Sequence, residues 1–370
     1  MSKKKIVLFI PSIEGGGVEK NFFLITNYLC KTFNEITVIT SSKYEAKSKL
    51  NNKIKLIGPD LNFLNTKSRY PKYFLCLLYL IKFLITNKHV LVFAFQANGY
   101  ASIISKIFKT TIITRSNSSS DGWSKNILKV FLYKFLLKLP DEVIVNSYEF
   151  KKELDNKFNI STTVIYNPLN KKEIIKKSKK KLNLKFFQKK DLKLITVGRL
   201  VDQKDQITLL KAINLIKEKL NFRLLIIGRG NEETKLKIFI DKNKITKFVK
   251  IIPFQKNPYK FIIKADLFIL TSKFEGLPNV LLEAQSLKKY IISTNCPTGP
   301  KEILLNGRLG DLVKVQDYKK LASKILIFDK EKHKKSTYNK IYFSFKKLSR
   351  FDYISNMKKY EKVLQKYIYV

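Results

Sequence analysis

Residues 267–284 read LFILTSKFEGLPNVLLEA. An apolar run, Leu267 to Leu270, breaks into a polar loop, Thr271 to Gly276, and a helix-forming segment follows with Pro278 near its first turn. The missing N–H of proline costs nothing there. Strand, loop and helix in that order form the unit that presents ligands at the carboxyl end of a parallel sheet. Two carboxylates bracket the turn, Glu275 in the loop and Glu283 in the helix. Taken alone, Glu275 could simply favour the positive end of the helix and Glu283 could decorate the surface.

The same unit recurs downstream of a lysine-rich connection that begins at Asn167-Pro168. Leu192 to Val197 is a strand, followed by Gly198-Arg199-Leu200-Val201-Asp202-Gln203-Lys204-Asp205 and a helix from Gln206 to Leu220. Strands at Phe222 to Ile227, Val249 to Ile252 and Tyr290 to Ser293 alternate with helical stretches, one of them near Pro258 to Lys264. Gly228-Arg229-Gly230 and Thr298-Gly299-Pro300 form two of the turns. Alternation of this kind predicts a doubly wound parallel sheet.

Upstream, Ile6 to Ile10 is a strand that runs into Pro11-Ser12-Ile13-Glu14-Gly15-Gly16-Gly17. Val18, Phe22, Ile25 and Leu29 then recur at helical spacing. A glycine loop between strand and helix offers free N–H groups to an anion, although glycines also serve simply to turn the chain. The loop does not match the dinucleotide spacing G-x-G-x-x-G. Further strands are predicted at Glu35 to Thr40, Val90 to Phe95, Thr111 to Thr114, Glu142 to Val145 and Val164 to Tyr166. The segments Phe95 to Asn98 and Arg115 to Asp121 fall at strand ends, which makes Arg115 and Asn117 candidate contacts for a second substrate. Near the end of the chain Tyr353, Met357, Tyr360, Leu364 and Tyr367 make one apolar helical face that needs a partner surface. The expected division is residues 1–168, completed by a returning helix over 346–370, and a second domain over 169–345.

A chain of 370 residues, 45% hydrophobic, can fill two cores. Cys30, Cys76 and Cys296 lie far apart, which supports neither a disulfide framework nor a zinc site and suits a reducing cytosol. His89 and His333 sit outside every motif, which argues against a histidine triad or a histidine-based metal centre. The formal charge of +44 points to an anionic partner, or to the lysine bias of A/T-rich codons. Arginine is the better filter, because its planar fork suits bidentate phosphate recognition. Arg115, Arg199 and Arg229 each follow a strand-like run. The amino-terminal apolar core, Ile6 to Ile10, is too short for a signal peptide and is broken by Pro11. The run Tyr73 to Ile85 falls short of the ~20 residues a membrane span needs and reads as a buried helix. Ile127 to Leu139 carries Lys129, Lys134 and Lys138, with Lys129 and Lys138 on opposite sides, and reads as a partly buried helix rather than a clean membrane-surface helix.

Arg199 with Lys204 could converge on a diphosphate and stabilise it as it gains charge on leaving. A carboxylate accepts bonds from hydroxyls, so Glu283 suits a ribose and Glu275 a sugar. Cations for phosphates and carboxylates for hydroxyls describe a nucleotide-sugar site that needs no metal.

These residues also carry a family resemblance. Gly198-Arg199-Leu200 with Gln203-Lys204-Asp205, and Glu275-Gly276-Leu277-Pro278-Asn279-Val280-Leu281-Leu282-Glu283-Ala284, resemble the signature of family 4 retaining glycosyltransferases of the bacterial surface-polysaccharide type. The resemblance extends over essentially the whole chain, and its most specific part is the pair of glutamates. It implies the GT-B fold, two facing Rossmann-like domains with the C-terminal helix crossing back to the N-terminal domain. Carried over residue by residue, Arg199 and Lys204 would bind the donor pyrophosphate and Glu275 the donor sugar. The backbone of Gly276, Leu277, Pro278 and Asn279 would line the sugar pocket, Glu283 would hold the ribose, and Gly16 and Gly17 would approach phosphates or acceptor across the cleft. Arg229 stands where the family often has an acidic residue, and the histidine that some relatives use in the first domain has no obvious counterpart. The implied activity is metal-independent, retaining transfer of a hexose or N-acetylhexosamine from a UDP-sugar to a lipopolysaccharide, capsule or lipid-linked glycan, without a cofactor. The implied location is cytoplasmic, peripheral on the inner face of the cell membrane, with an anionic membrane surface rather than nucleic acid as partner. A nucleotide-sugar epimerase on the same fold and a non-enzymatic polyanion-binding protein are the alternatives.

Overall fold

A computed structural model describes residues 5–59, 70–117, 119–120 and 126–368. The chain forms two compact units, residues 1–168 with 353–370 and residues 169–352.

The first unit alternates strand and helix. It begins β1 (Lys5–Phe9), α1 (Gly17–Leu29), β2 (Ile36–Ile39), α2 (Lys43–Lys47), β3 (Lys55–Ile57) and α3 (Tyr70–Thr86). It continues β4 (Val90–Ala94), α4 (Asn98–Ile107), β5 (Thr111–Arg115), α5 (Ile127–Lys138), β6 (Glu142–Val145), α6 (Tyr148–Phe158) and β7 (Thr163–Val164). The seven strands are parallel in the order β3-β2-β1-β4-β5-β6-β7. Their central members are buried along their length, as strands covered on both faces must be. Successive side chains point to opposite faces, and the two cores divide accordingly. Ile6, Leu8, Leu91 and Phe93 pack with α1 on one face, while Val7, Phe9, Val92 and Ala94 pack with α3 and α4 on the other.

The second unit runs α7 (Lys171–Ser178), β8 (Leu192–Val197), α8 (Gln206–Ile216), β9 (Phe222–Ile227), α9 (Glu233–Lys242), β10 (Val249–Ile252) and α10 (Tyr259–Ile262). Then come β11 (Leu267–Leu270), α11 (Asn279–Ser286), β12 (Tyr290–Thr294), α12 (Pro300–Ile303), β13 (Asp311–Val313), α13 (Tyr318–Glu331) and α14 (Lys335–Lys346). Six parallel strands lie in the order β10-β9-β8-β11-β12-β13. Both sheets are therefore Rossmann-like. The sequence reading did not find β3 and β13, which are three-residue edge strands whose side chains stay largely half-exposed.

The last helix, α15 (Tyr353–Ile368), belongs to the first unit and buries Met357, Tyr360, Leu364 and Ile368 against its sheet. The returning segment starts at 353 rather than 346. Residues 347–352 stay with the second unit because Leu348 and Phe351 are buried there. The Arg350 guanidinium also donates to the carbonyls of Glu302 and Ile303, and the Leu169 N–H donates to the Phe351 carbonyl.

α3, expected as a buried helix, buries only Cys76, Leu80, Phe83 and Leu84. α5 is partly buried as expected, with Val130, Tyr133 and Leu137 half-exposed and packed on α6. In the described residues no helix is long and apolar enough to cross a membrane.

Candidate active site

In the second unit the strand order reverses between β8 and β11, since β9 lies on one side of β8 and β11 on the other. Ligands of open parallel sheets gather outside the carboxyl ends of the strands at such a switch point. The β8 loop carries Arg199 and Lys204 to this place, and the β11 loop carries Glu275.

Lys204 and Glu275 meet there. The Lys204 ammonium bonds the Glu275 carboxylate at Oε1, and the same oxygen accepts from the Ser272 hydroxyl at 2.6 Å. Both partners are shielded, with side-chain exposures of 15% and 8%. The loop around them is pinned from several sides. The Glu275 N–H donates to the Pro297 carbonyl at 2.6 Å, and the Thr298 hydroxyl reaches the carbonyls of Glu275 and Gly276, both at 3.1 Å. Gln203 ties the β8 loop to the β11 loop through the Phe274 carbonyl, at 2.9 Å. Lys273 binds Asp202 at 2.6 Å. Asp205 accepts from the Thr208 hydroxyl at 2.7 Å and begins α8; burial raises its carboxyl above the usual carboxylate value. Carboxylate and ammonium are thus held in fixed positions, as preorganised electrostatics requires.

Close backbone approach explains two of the glycines. A Cβ on Gly299 would stand 2.2 Å from the Gly276 carbonyl oxygen, and one on Gly228 would stand 1.9 Å from that of Gly198. The turns after β9 and β12 therefore lie directly against the loops that follow β8 and β11.

Arg199 is exposed, with one guanidinium nitrogen 3.3 Å from Gln203 Oε1. Its fork faces solvent beside the Lys204–Glu275 pair. Glu283 is no surface residue: it is 5% exposed, and Tyr259 donates its phenol to Glu283 Oε1 at 3.3 Å. Pro278 precedes α11, Leu277 is buried, and Asn279 opens the helix. Arg229 lies over the Phe254 ring at 5.5 Å. Cys296, next to these groups, is pushed up to about 12 by burial and by the Glu275 charge, so its thiol keeps its proton and is no nucleophile. No three His, Cys, Asp or Glu side chains among the described residues stand together as a metal-binding group.

The first unit has its own switch point, between β1 and β4. Gly16 caps α1 and Gly17 opens it. A Cβ on Gly16 would stand 2.7 Å from Glu19 Oε2. Gln96 links the two strand ends, accepting from the Ser12 N–H at 3.1 Å and lying 3.5 Å from Glu19. Asn117 turns its amide onto the Arg115 carbonyl at 3.1 Å. Arg115 is corrected: it is fully buried, donating from Nε to the Tyr360 hydroxyl at 2.8 Å and from Nη2 to Asn167 Oδ1 at 2.5 Å. It fastens β5 to α15 and does not present itself to an acceptor. Asp121, the end of that proposed loop, lies outside the described residues.

Ser272 and Tyr259 escaped the sequence reading, while Gln203 and Thr298 were legible as loop and turn residues but not as the groups that tie the site together. Ser272 stands three residues before Glu275, a spacing that could have suggested it. Tyr259 had no signal, because its neighbour Glu283 comes from a distant segment.

The two sheets and this switch-point geometry define a GT-B-type protein. The family model "Glycosyl transferases group 1" matches residues 175–342, most of the second unit. An uncharacterized glycosyltransferase of Methanocaldococcus jannaschii is 33% identical over 217 residues, covering 55% of this chain and 53% of that one, so the match spans about half of that relative. The N-acetylgalactosamine-N,N'-diacetylbacillosaminyl-diphospho-undecaprenol 4-alpha-N-acetylgalactosaminyltransferase of Campylobacter jejuni is 27% identical over 329 residues, covering 85% of this chain and 87% of that one. The crystal structure of Anabaena HepE in complex with UDP superposes with a TM-score of 0.76 at 18% identity, covering 98% of this chain and 100% of that one, which speaks for the fold. Neither sequence relative is an epimerase or a polyanion-binding protein.

Proposed function

We propose that the chain is a retaining glycosyltransferase that moves a hexose or N-acetylhexosamine from a UDP-sugar to a hydroxyl of a growing surface glycan. The observation that carries this reading is the shielded Lys204–Glu275–Ser272 cluster at the switch point, with the exposed Arg199 beside it. A UDP-sugar has a diphosphate for Arg199 and Lys204, sugar hydroxyls for Glu275 and a ribose for Glu283. The two cations supply the charge that the leaving diphosphate needs, without recourse to a metal. The bond from the anomeric carbon to the diphosphate oxygen breaks, and the bond to the acceptor oxygen forms on the same face of the sugar. The acceptor's proton passes to the departing phosphate oxygen, and UDP leaves.

The names of the relatives support the choice of substrates. The Campylobacter enzyme is named for transfer to a sugar on diphospho-undecaprenol, and HepE was crystallised with UDP. We assign the glycan acceptor to the first unit and place the enzyme at the inner face of the cell membrane, where lipid-linked acceptors reside.

The test is thermal stabilisation by a panel of nucleotides and UDP-sugars in EDTA. A ligand at about 100 times its Kd adds ~2.7 kcal/mol. UDP or one UDP-sugar should stabilise the parent, and Lys204→Ala should lose that shift. Stabilisation by generic polyanions alone, abolished by salt, would sink the reading.

A further inference from the structure

Each of the two glutamates at the site of the second unit is held by a buried hydroxyl. Ser272 lies just past the end of β11 and is fully buried, and its hydroxyl donates to Glu275 Oε1 at 2.6 Å. The Ser272 carbonyl accepts in turn from the hydroxyl of Thr294, the last residue of β12, at 2.6 Å. Both ends of Ser272 are therefore tied, one to the loop and one to the strand beside β11. Tyr259 opens α10, is 7% exposed, and donates its phenol to Glu283 Oε1 at 3.3 Å. Its segment is fastened by the Asn257 amide, which donates to the Lys177 carbonyl at 2.9 Å.

A hydroxyl steadies a carboxylate without cancelling its charge, so the carboxylate stays a strong acceptor for the hydroxyls of a ligand. An ammonium cannot do the same. Lys204 shares Glu275 Oε1 with Ser272, but a bound diphosphate draws that ammonium to itself. Ser272 still fixes Glu275 once Lys204 has turned away. Glutamate is a flexible side chain, and one that must be ordered as the ligand arrives weakens binding by the entropy lost. The two bonds differ in strength. Strong charge-assisted O–H···O bonds are about 2.5–2.7 Å long, a range that holds the Ser272 bond and not the longer Tyr259 bond. Ser272 should therefore matter more.

We propose that Ser272 and Tyr259 are positioning residues that divide the recognition of a UDP-sugar. Ser272 aims Glu275 at the hydroxyls of the sugar, and Tyr259 aims Glu283 at those of the ribose. The proposal rests on the UDP-sugar reading of this site and adds the groups that hold its two glutamates in place.

Calorimetric titration of the full chain with UDP, 2′,3′-dideoxy-UDP, UDP-glucose and UDP-N-acetylglucosamine is the experiment, on the parent, Ser272→Ala and Tyr259→Phe. Each substitution removes one hydroxyl and keeps the rest of the side chain. In Ser272→Ala the affinity for the tighter UDP-sugar, relative to UDP, should fall about tenfold, and the ratio of UDP to dideoxy-UDP should stay that of the parent. Ser272→Cys, a weak donor of similar size, should behave in the same way. In Tyr259→Phe the ratio of UDP to dideoxy-UDP should shrink about threefold, and the preference between UDP-sugar and UDP should be kept. A purely structural role would weaken all four ligands alike and move neither ratio. That result overturns the proposal, as does an unmoved sugar ratio in both Ser272 variants or an unmoved ribose ratio in Tyr259→Phe. If the parent binds UDP and Lys204→Ala does not, such a result leaves the transferase reading standing. A parent that binds none of the four ligands sinks both.

Discussion

Arg115 and Arg199 occupy like positions in the two sheets and have opposite fates. Each follows an apolar strand, and each could serve a ligand at the carboxyl edge. Arg115 is the last residue of β5, in register with Ile144 of β6. Strand alternation puts it on the face of Ile113, which belongs to the core covered by α15. Its guanidinium is therefore enclosed, bonded to Tyr360 and Asn167, with Nη1 buried and left without a hydrogen-bond partner. Arg199 lies beyond β8, past Gly198, where the pleat no longer fixes its direction, and it faces solvent. A strand end predicts that a residue is near the edge. Whether it serves ligand or core depends on whether it is still inside the ladder.

The largest expected effect tests the buried side of this pair. Arg115→Ala removes a fully buried side chain and takes a donor from both Tyr360 and Asn167. Urea unfolding should show a loss of about 3 kcal/mol, the sum of a cavity and broken buried hydrogen bonds. UDP affinity, measured by calorimetry, should stay within a factor of about two, because the change is confined to the first unit's core. Retained stability with lost transfer would return Arg115 to the acceptor side and erase the contrast.

A third cation sharpens the comparison from another direction. Lys289, just before β12, is half-buried and donates to the carbonyls of Ile263 and Ala265 at 2.8 and 2.6 Å. Burial pulls it down to about 8 from the ordinary 10.5, against the opposing charge of Asp266. Below about pH 8 it is protonated whether the chain is folded or not. Between about 8 and 10.5 the unfolded chain still holds the proton and the folded chain has lost it, so stability rises with pH across that window. The parent should gain up to about 1.4 kcal/mol per pH unit relative to Lys289→Met between pH 8 and 10. Equal slopes for the two proteins would mean that Lys289 is solvated after all.

The frame of this molecule was written in local pattern. Apolar runs such as Leu192–Val197 and Leu267–Leu270 are continuous because both sheet faces are covered, and they were readable for that reason. Lys204 and Glu275 were readable as loop residues at strand ends. Their mutual contact was not, because it depends on β11 pairing beside β8, seventy-one positions apart in sequence between the two side chains. Tyr259 and Glu283 meet by the same kind of long-range placement. Which side of α5 is covered was not legible either, because its apolar residues are spread over most of the helix, and only the packed structure shows that α6 covers one side while Ile127, Leu128, Phe131, Leu132 and Phe135 stay exposed.

The smallest structural effect belongs to Arg199, and it decides the comparison. The side chain is exposed and makes one 3.3 Å contact with Gln203, so Arg199→Ala should change unfolding free energy by no more than about 0.5 kcal/mol. Hydrogen bonds to a charged group are worth about 1.5–3 kcal/mol, so UDP binding should weaken by about ten- to a hundredfold. Lysine at this position would restore the charge without the fork, and Arg199→Lys should recover only part of that affinity. Calorimetric titration of UDP into the three proteins, beside urea melts of each, separates the possibilities. If Arg199→Ala loses stability as Arg115→Ala does and binds UDP normally, both arginines are structural, and the edge of the second sheet must recognise the diphosphate through Lys204 and backbone groups alone.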